Sequence, residues 1–173
     1  MKYISRSIDK TLEEWKESTT HKPLLLRGAR QVGKSSAVRH LGTQFKYFAE
    51  VNFESAKSIA TFFKGDLDVK LISSKISNYI QVPIIPGQTL LFLDEIQACP
   101  EAIMALRFFK EDYPELHVIA AGSLLEFALQ SLPTFGVGRI HSVFMYPMTF
   151  DEFLVAMDMG DCLQCAVRQQ RHI

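Results

Sequence analysis

Short apolar runs alternate along the chain with longer segments in which apolar residues recur at helical spacing. The apolar runs have the length of buried strands and lie at 23–27, 45–53, 89–93, 116–121 and 140–146. The amphipathic segments predict helices at 7–17, 34–41, 55–80 with an interruption near Gly65, 100–112, 124–130 and 150–157. Apolar strands that alternate with helices are typical of a parallel sheet covered on both faces. The pattern therefore predicts an α/β fold with a doubly wound, mostly parallel five-stranded sheet.

Residues 28–35 read GARQVGKS, which matches the phosphate-binding pattern GxxxxGK[ST], and they lie between a predicted strand and a predicted helix. The free N–H groups and the positive dipole end of such a helix can hold phosphate oxygens. We expect Lys34 to reach the β and γ phosphates and the Ser35 hydroxyl to coordinate Mg²⁺. The alternative is a glycine turn before a surface helix. The predicted nucleotide-binding residues are Gly28, Ala29, Arg30, Gln31, Val32, Gly33, Lys34, Ser35 and Ser36.

A second candidate for chemistry follows the most apolar strand, where TLLFL runs directly into Asp94 and Glu95. Ionised carboxylates at the end of a buried strand are costly unless a cation or a ligand needs them. Ligands of doubly wound sheets bind at the carboxyl ends of the strands. We therefore expect Asp94 to orient Mg²⁺, usually through water, and Glu95 to activate an attacking water. The alternative is a pair of residues that caps the next helix.

Further polar residues follow the other predicted strands. Ser123 could contact the γ phosphate or the attacking water, or it could cap the next helix with Glu126 completing a capping box. Arg139, between a glycine-rich loop at 133–138 and the fifth strand, is the best candidate for a charge that stabilises the transition state, in cis or across a subunit boundary. A structural arginine is the alternative. Gln97 is expected to line the site, and Arg107 is a weaker candidate than Arg139 because its helix should pack it away from the phosphates.

Composition narrows the class of protein. The chain has 173 residues, of which 47% are hydrophobic, and 19 basic residues balance 19 acidic ones. Neutral net charge gives no indication of a nucleic-acid or membrane partner. The chain has neither a membrane-spanning apolar stretch nor a signal-peptide core, so we expect a cytoplasmic protein. The odd number of three cysteines suits a reducing compartment. Cys162 and Cys165 lack the second ligand pair or the thioredoxin-like context of a zinc or redox site.

Taken in order, several blocks of the sequence resemble a known family. The blocks are KPLLLRGARQVGKSSAVRHLG, FAEVNFE, TLLFLDEIQACPEAIMALRFF, LHVIAAGSLLEFAL, and FGVGRI followed by MYPMTFDEFL. They resemble the AAA-like predicted ATPases of bacteria and archaea, in which a P-loop domain precedes a C-terminal domain of unknown function. The resemblance covers roughly residues 3–157 and implies a P-loop NTPase fold with an AAA-like core that binds ATP and Mg²⁺. It implies phosphate and Mg²⁺ ligands at Lys34 and Ser35, hydrolysis carboxylates at Asp94 and Glu95, a γ-phosphate sensor at Ser123 and an arginine finger at Arg139.

Members of that family are generally longer, so we expect this chain to represent the ATPase core. The expected parts are an N-terminal helical segment at 1–20, the core at 21–158 and a polar tail or truncated start of a lid at 159–173. The resemblance also implies self-association or a protein partner, because AAA-like ATPases often act as rings or dimers.

The function that these features favour is Mg²⁺-dependent ATP hydrolysis that switches the conformation of a partner or an attached domain. The first alternative is an ATP-dependent switch with little or no hydrolysis. A small-molecule kinase is less favoured, because Glu95 beside Asp94 suits water activation rather than transfer to another acceptor. The sequence has no basic, aromatic-rich stripe and no net charge, so it gives no support to a DNA-associated motor.

Overall fold

The computed structural model describes residues 3–123, 125 and 138–157. Within these residues, the α-helices are α1 (Ile8–Glu17), α2 (Lys34–Gly42), α3 (Val69–Ile80), α4 (Pro100–Asp112) and α5 (Phe150–Ala156). The strands are β1 (Leu24–Arg27), β2 (Tyr47–Asn52), β3 (Thr89–Asp94), β4 (His117–Ala121) and β5 (His141–Phe144). Two 3-10 helices, Lys57–Phe63 and Ile96–Ala98, complete the regular structure of this part of the chain. None of the helices described is long and apolar enough to span a membrane.

The five strands form one sheet in the order β2-β3-β4-β1-β5, and every neighbouring pair is parallel. The α/β fold class predicted from the sequence is confirmed. The order separates two strands that matter for the site: β4 lies between β1, which precedes the phosphate loop, and β3, which ends in Asp94. Since parallel strands end at the same edge, the segments that follow β1, β3 and β4 lie beside one another.

Helices cover both faces of the sheet, as predicted. Leu24 and Leu26 of β1 pack with α1 and α2 on one face, whereas Leu25 points to the other face, which α3, α4 and the first 3-10 helix cover. All three leucines are completely buried. A strand buried on both faces needs apolar residues at successive positions, which is why the strands read as continuous apolar runs rather than as alternating ones.

The predicted strands are confirmed to within two residues at each end. The segment predicted as one or two helices at 55–80 is divided into a 3-10 helix and α3, and Gly65 lies between them with a φ of 83°. Asp68 begins α3, because its side chain accepts hydrogen bonds from the N–H groups of Lys70 and Leu71. This cap fixes the start of α3 beyond the left-handed glycine.

Several predicted features lie outside the described residues. They are most of the helix at 124–130, residues 133–137 of the glycine-rich loop, and the tail at 159–173 with Cys162 and Cys165. The remaining cysteine, Cys99, is buried beside the start of α4, and burial raises the pKa of its thiol to about 11.

Candidate functional site

The phosphate loop connects the end of β1 to the start of α2 and depends on two glycines with positive φ. Gly33 has a φ of 100° and immediately precedes Lys34, the first residue of α2. Gly28 has a φ of 143°, and a Cβ atom there would collide with the backbone carbonyl oxygen of Met145, just after β5. Gln31 adopts a φ of 63°, a conformation that non-glycine residues rarely adopt. The loop is therefore held in a special backbone conformation by its glycines and by the chain that follows β5.

The Lys34 side chain spans this loop. Its Nζ donates hydrogen bonds of 2.9 Å to the carbonyl oxygen of Gly28 and of 2.7 Å to that of Ala29. The residue is buried, with 8% of its surface exposed. Burial lowers the pKa of Lys34, although the charges of Glu95 and Asp94 act in the opposite direction. The loop thus holds a partly desolvated ammonium beside two carboxylates, and such a group interacts strongly with further anionic oxygens.

Asp94 is the buried acidic residue at the end of β3, with 4% of its surface exposed. Its Oδ2 accepts a hydrogen bond of 3.0 Å from the Ser35 hydroxyl and a longer one of 3.4 Å from Asn52 Nδ2. Its Oδ1 accepts a bond of 3.1 Å from the N–H of Glu95. Burial raises the pKa of Asp94, and these hydrogen bonds only partly offset the effect. Asn52 ends the neighbouring strand β2, and no motif in the sequence singles it out.

The oxygens of Ser35 and Asp94 are suited to Mg²⁺, which prefers hard oxygen ligands. Their separation of 3.0 Å places a hydroxyl from one strand–helix connection against a carboxylate from another. In the described part of the chain, no group of three or more histidine, cysteine, aspartate or glutamate side chains could hold a metal.

Glu95 lies one residue beyond β3 and has a left-handed backbone, with φ 51° and ψ 43°. Gln97 Nε2 donates a hydrogen bond of 2.6 Å to Glu95 Oε2. The carboxylate contributes to a polar cavity of about 490 Å³, whose other walls are the phosphate loop, the first turn of α2 and Ser123. The structure therefore brings together loop residues, Glu95 and Ser123, as the order of strands predicts. Gln97 contacts the site through Glu95.

Ser123 lies two residues beyond β4 and is buried, with 3% of its surface exposed. It lines the polar cavity together with residues of the phosphate loop. The competing role as a helix cap depends on Glu126 and its neighbours, which lie outside the described residues.

Arg139 lies away from this cavity within one chain. It precedes β5, and His141 at the start of β5 pairs with Leu24 at the start of β1, so Arg139 lies at the amino edge of the sheet. The phosphate loop follows the carboxyl end of β1. The Arg139 side chain forms an ion pair with Glu111 near the end of α4. Arg107, the weaker candidate, lies within α4 and stacks on a neighbouring phenylalanine ring.

A second cavity of about 780 Å³ adjoins the outer side of the phosphate loop. The rings of Tyr3 and His40 stack in its wall with centroids 3.9 Å apart and an angle of 15° between their planes. Arg6 also lines it and donates a hydrogen bond of 2.9 Å to the carbonyl oxygen of Val32 in the loop. Tyr3 and Arg6 belong to no sequence motif, whereas His40 lies on α2 within the block that contains the phosphate loop. The positions of Tyr3 and Arg6 depend on how the segment before α1 folds against the loop.

The comparison with known families agrees with this geometry. A family model described as an AAA domain matches residues 20–154, a span that includes the phosphate loop and the carboxylates of Asp94 and Glu95. No curated protein matches the chain with significant similarity. Since the matched span is most of the sequence, the chain belongs to the AAA domain family, and this membership indicates nucleotide binding and an ATPase-like function.

Proposed function

We propose that this chain binds Mg²⁺-ATP, hydrolyses it to ADP and phosphate, and uses the reaction to switch the conformation of a partner or an attached domain. The observation that carries the proposal is the convergence of Lys34, Ser35, Asp94 and Glu95 at one edge of the sheet. The first two begin α2, whereas Asp94 ends β3 and Glu95 follows it, and β4 separates β3 from β1. Their chemistry matches the parts that nucleotide hydrolysis needs.

The two cavities beside the loop suit the two halves of the nucleotide. Backbone N–H groups at the start of α2 and the Lys34 ammonium would bind the β and γ phosphates in the polar cavity. The base and ribose would occupy the larger cavity, where the stacked rings of Tyr3 and His40 offer an aromatic surface. Ser35 and Asp94 would hold Mg²⁺, which when bound offsets the charge on the phosphate oxygens.

Hydrolysis requires a base close to the γ phosphate, and Glu95 lines the polar cavity where that phosphate would lie. Glu95 would accept a proton from a water while the water oxygen forms a bond to the γ phosphorus. The bond from the γ phosphorus to its bridging oxygen breaks, and ADP leaves with that electron pair. The proton then passes from Glu95 to the released phosphate or to solvent. Ser123 would contact the γ phosphate from the end of β4.

Arg139, the predicted arginine finger, does not reach the polar cavity of its own chain. We propose that Arg139 acts across a subunit boundary, because it lies at the opposite edge of its own sheet. This role requires self-association, which is itself a proposal. The ATP-dependent switch with little hydrolysis is the second candidate. It is favoured by the position of Arg139, because an arginine that pairs with Glu111 at the opposite edge of the sheet adds no positive charge to the cavity of its own chain.

Phosphate release and ATP binding, measured on the same preparations, test the proposal. We expect the chain to release phosphate in the presence of ATP and Mg²⁺, and Glu95→Gln to bind ATP but lose release by about 100-fold or more. Lys34→Ala should weaken ATP binding by at least about tenfold, which is 1.4 kcal/mol. Lys64→Ala, at an exposed position, is the matched control. Equal, near-zero release by the chain and Glu95→Gln with intact ATP binding would overturn hydrolysis in favour of the switch.

A further inference from the structure

We propose that Gln97 is a positioning residue, whose side-chain amide lies between the Glu95 carboxylate just after β3 and Gly122 just after β4 and holds the carboxylate in one orientation. This arrangement of Glu95, Gln97 and Gly122 is here named the clamp. The inference rests on the proposed function, in which Glu95 activates water. In this role the Gln97 amide orients Glu95, and the absence of a side chain at Gly122 leaves room for that amide. The clamp would therefore couple the base to the strand that carries Ser123.

The first observation is the hydrogen bond of 2.6 Å from Gln97 Nε2 to Glu95 Oε2. Two residues apart, these side chains would not meet on an ordinary α-helix. They meet because Glu95 has a left-handed backbone and the next three residues form a 3-10 helix. A non-glycine residue holds such a conformation only where the surrounding structure fixes it, and such residues cluster at functional sites. The bond also decides the orientation of the Gln97 amide. An ionised carboxylate can only accept hydrogen bonds, so the NH₂ end of the amide faces Glu95 and the oxygen faces away.

The second observation concerns the other end of the same amide. Gln97 Oε1 is buried and has no hydrogen-bond partner within the described structure. It occupies the position where a Cβ atom of Gly122 would lie. Gly122 does not have the left-handed backbone that favours glycine, so the space taken by Gln97 is the physical reason for a glycine there. The Gln97 amide is therefore confined at both ends, by the Glu95 carboxylate at its nitrogen and by the backbone of Gly122 at its oxygen.

The chemical consequence follows from the two oxygens of the carboxylate. A donor on Oε2 fixes the plane of the group and leaves Oε1 to accept the proton of a water. General-base catalysis depends on this geometry, because the base must lie within hydrogen-bond distance of the proton that it removes. Without the amide, the Glu95 side chain would rotate freely, and fewer of its orientations would meet the water. The loss would fall on turnover and not on ATP binding.

The kinetic test is a double-mutant cycle on Gln97 and Gly122. Gln97→Ala is expected to lower kcat for phosphate release by about tenfold and to leave the KM for ATP unchanged. The loss is smaller than that expected from removing the base itself, because Glu95 is still present. Gly122→Ala should lower kcat similarly, because its methyl group displaces the flexible end of the Gln97 side chain. The double variant should be no slower than Gln97→Ala alone, since both changes remove one contact. Gln88→Ala, at an exposed position, is the control.

The clamp is overturned if the kcat losses of Gln97→Ala and Gly122→Ala add up in the double variant. It is also overturned if these variants raise KM for ATP and leave kcat unchanged. A second cycle uses no activity: the unfolding free energies of Glu95→Ala, Gln97→Ala and the double variant report the coupling between the two side chains. We expect a favourable coupling that disappears when Gly122→Ala is also present, and zero coupling overturns the clamp. If the chain releases no phosphate, or if Glu95→Gln releases as much as the parent chain, the proposed role of Glu95 as the base fails, and this coupling alone then decides on the contact.

Discussion

The hydroxyl of Ser35 donates a hydrogen bond of 3.0 Å to Oδ2 of Asp94, although 59 positions separate the two residues in the sequence. One residue belongs to the first turn of α2 and the other ends β3. The bond exists because the segments after β1 and β3 meet at the carboxyl edge of a parallel sheet. It joins the two protein oxygens that we propose for Mg²⁺.

Metal dependence of phosphate release tests this pair. Asp94→Asn is expected to raise the Mg²⁺ concentration for half-maximal release by about tenfold or more, because it removes the charge that the metal would neutralise. The measurement is a Mg²⁺ titration at saturating ATP. Asp66→Asn, which removes a carboxylate at an exposed position, should behave as the parent chain. An unchanged Mg²⁺ midpoint in Asp94→Asn would show that Asp94 does not hold the metal.

The glycine that opens the phosphate loop gives a prediction about stability. Gly28→Ala forces a Cβ atom against the carbonyl oxygen of Met145 at a φ of 143°, whereas Gly65→Ala meets no atom within 4 Å at a φ of 83°. Gly65→Ala is thus the matched control for backbone strain alone, which costs about 1 kcal/mol or slightly more. Gly28→Ala should lower the free energy of unfolding by more than Gly65→Ala does. If urea unfolding gives equal losses for the two variants, the predicted collision is contradicted.

A stacked pair of histidines, one buried and one half-buried, predicts how stability responds to mild acid. The rings of His117 and His21 stack 4.0 Å apart, and His117 Nε2 lies 3.1 Å from the carbonyl oxygen of Lys16. The pKa of His117 is lowered from 6.5, first by burial and then by His21. Just below pH 6.5 the unfolded chain therefore binds more protons than the folded chain. The free energy of unfolding should fall as the pH drops below that value, by up to about 1.4 kcal/mol per pH unit.

The measurement is urea unfolding between about pH 7.5 and about pH 5.5, a window that spans the ordinary histidine pKa. His117→Gln should flatten the pH dependence in this window, because the side chain no longer titrates. His141→Gln, at an exposed position of β5, serves as the control and should leave the slope unchanged. An equal slope in His117→Gln and the parent chain would assign the pH dependence to other groups.

Glu152 links α5 to the segment before α1. It accepts hydrogen bonds of 2.7 Å from the Ser7 N–H and 2.9 Å from the Thr149 N–H, and it forms an ion pair of 3.1 Å with Arg6. Burial raises the pKa of Glu152, but these contacts outweigh burial and lower it to about 2. The stabilisation is therefore present above the ordinary value of 4.5 and is lost as the pH falls from 4.5 towards 2.

Replacing this carboxylate should destabilise the chain at neutral pH only. Glu152→Gln is expected to lower the free energy of unfolding near neutral pH by about 1 kcal/mol or more, because it removes a charged acceptor of several bonds. Near pH 2 the variant and the parent chain should unfold alike. Glu115→Gln at an exposed position is the control. A loss of the same size at both pH values would show that packing, not the charge, is responsible.

Local patterns predict the elements of this fold closely. The helix predicted at 100–112 is observed at Pro100–Asp112, and the strand predicted at 89–93 is observed at Thr89–Asp94. Apolar runs and helical spacing indicate which residues are buried, and this periodicity can be read from a few neighbouring positions in the sequence. The phosphate loop is similarly local, because its glycines, lysine and serine act within eight consecutive positions.

The positions of the other candidate site residues depend on contacts between segments that are far apart in the sequence. The insertion of β4 between β1 and β3 brings Ser123 to the cavity, and the direction of β5 takes Arg139 to the opposite edge of the sheet. Asn52 and Gln97 reach the carboxylates for the same reason, since strand order and local turns decide which ends meet.

Periodicity and short motifs act over a few residues, and they are enough to predict the α/β class, the phosphate loop and the pair of carboxylates. Strand order brings the distant side chains to one cavity, because a hydrophobic pattern specifies the face that a strand buries and leaves its neighbours in the sheet open.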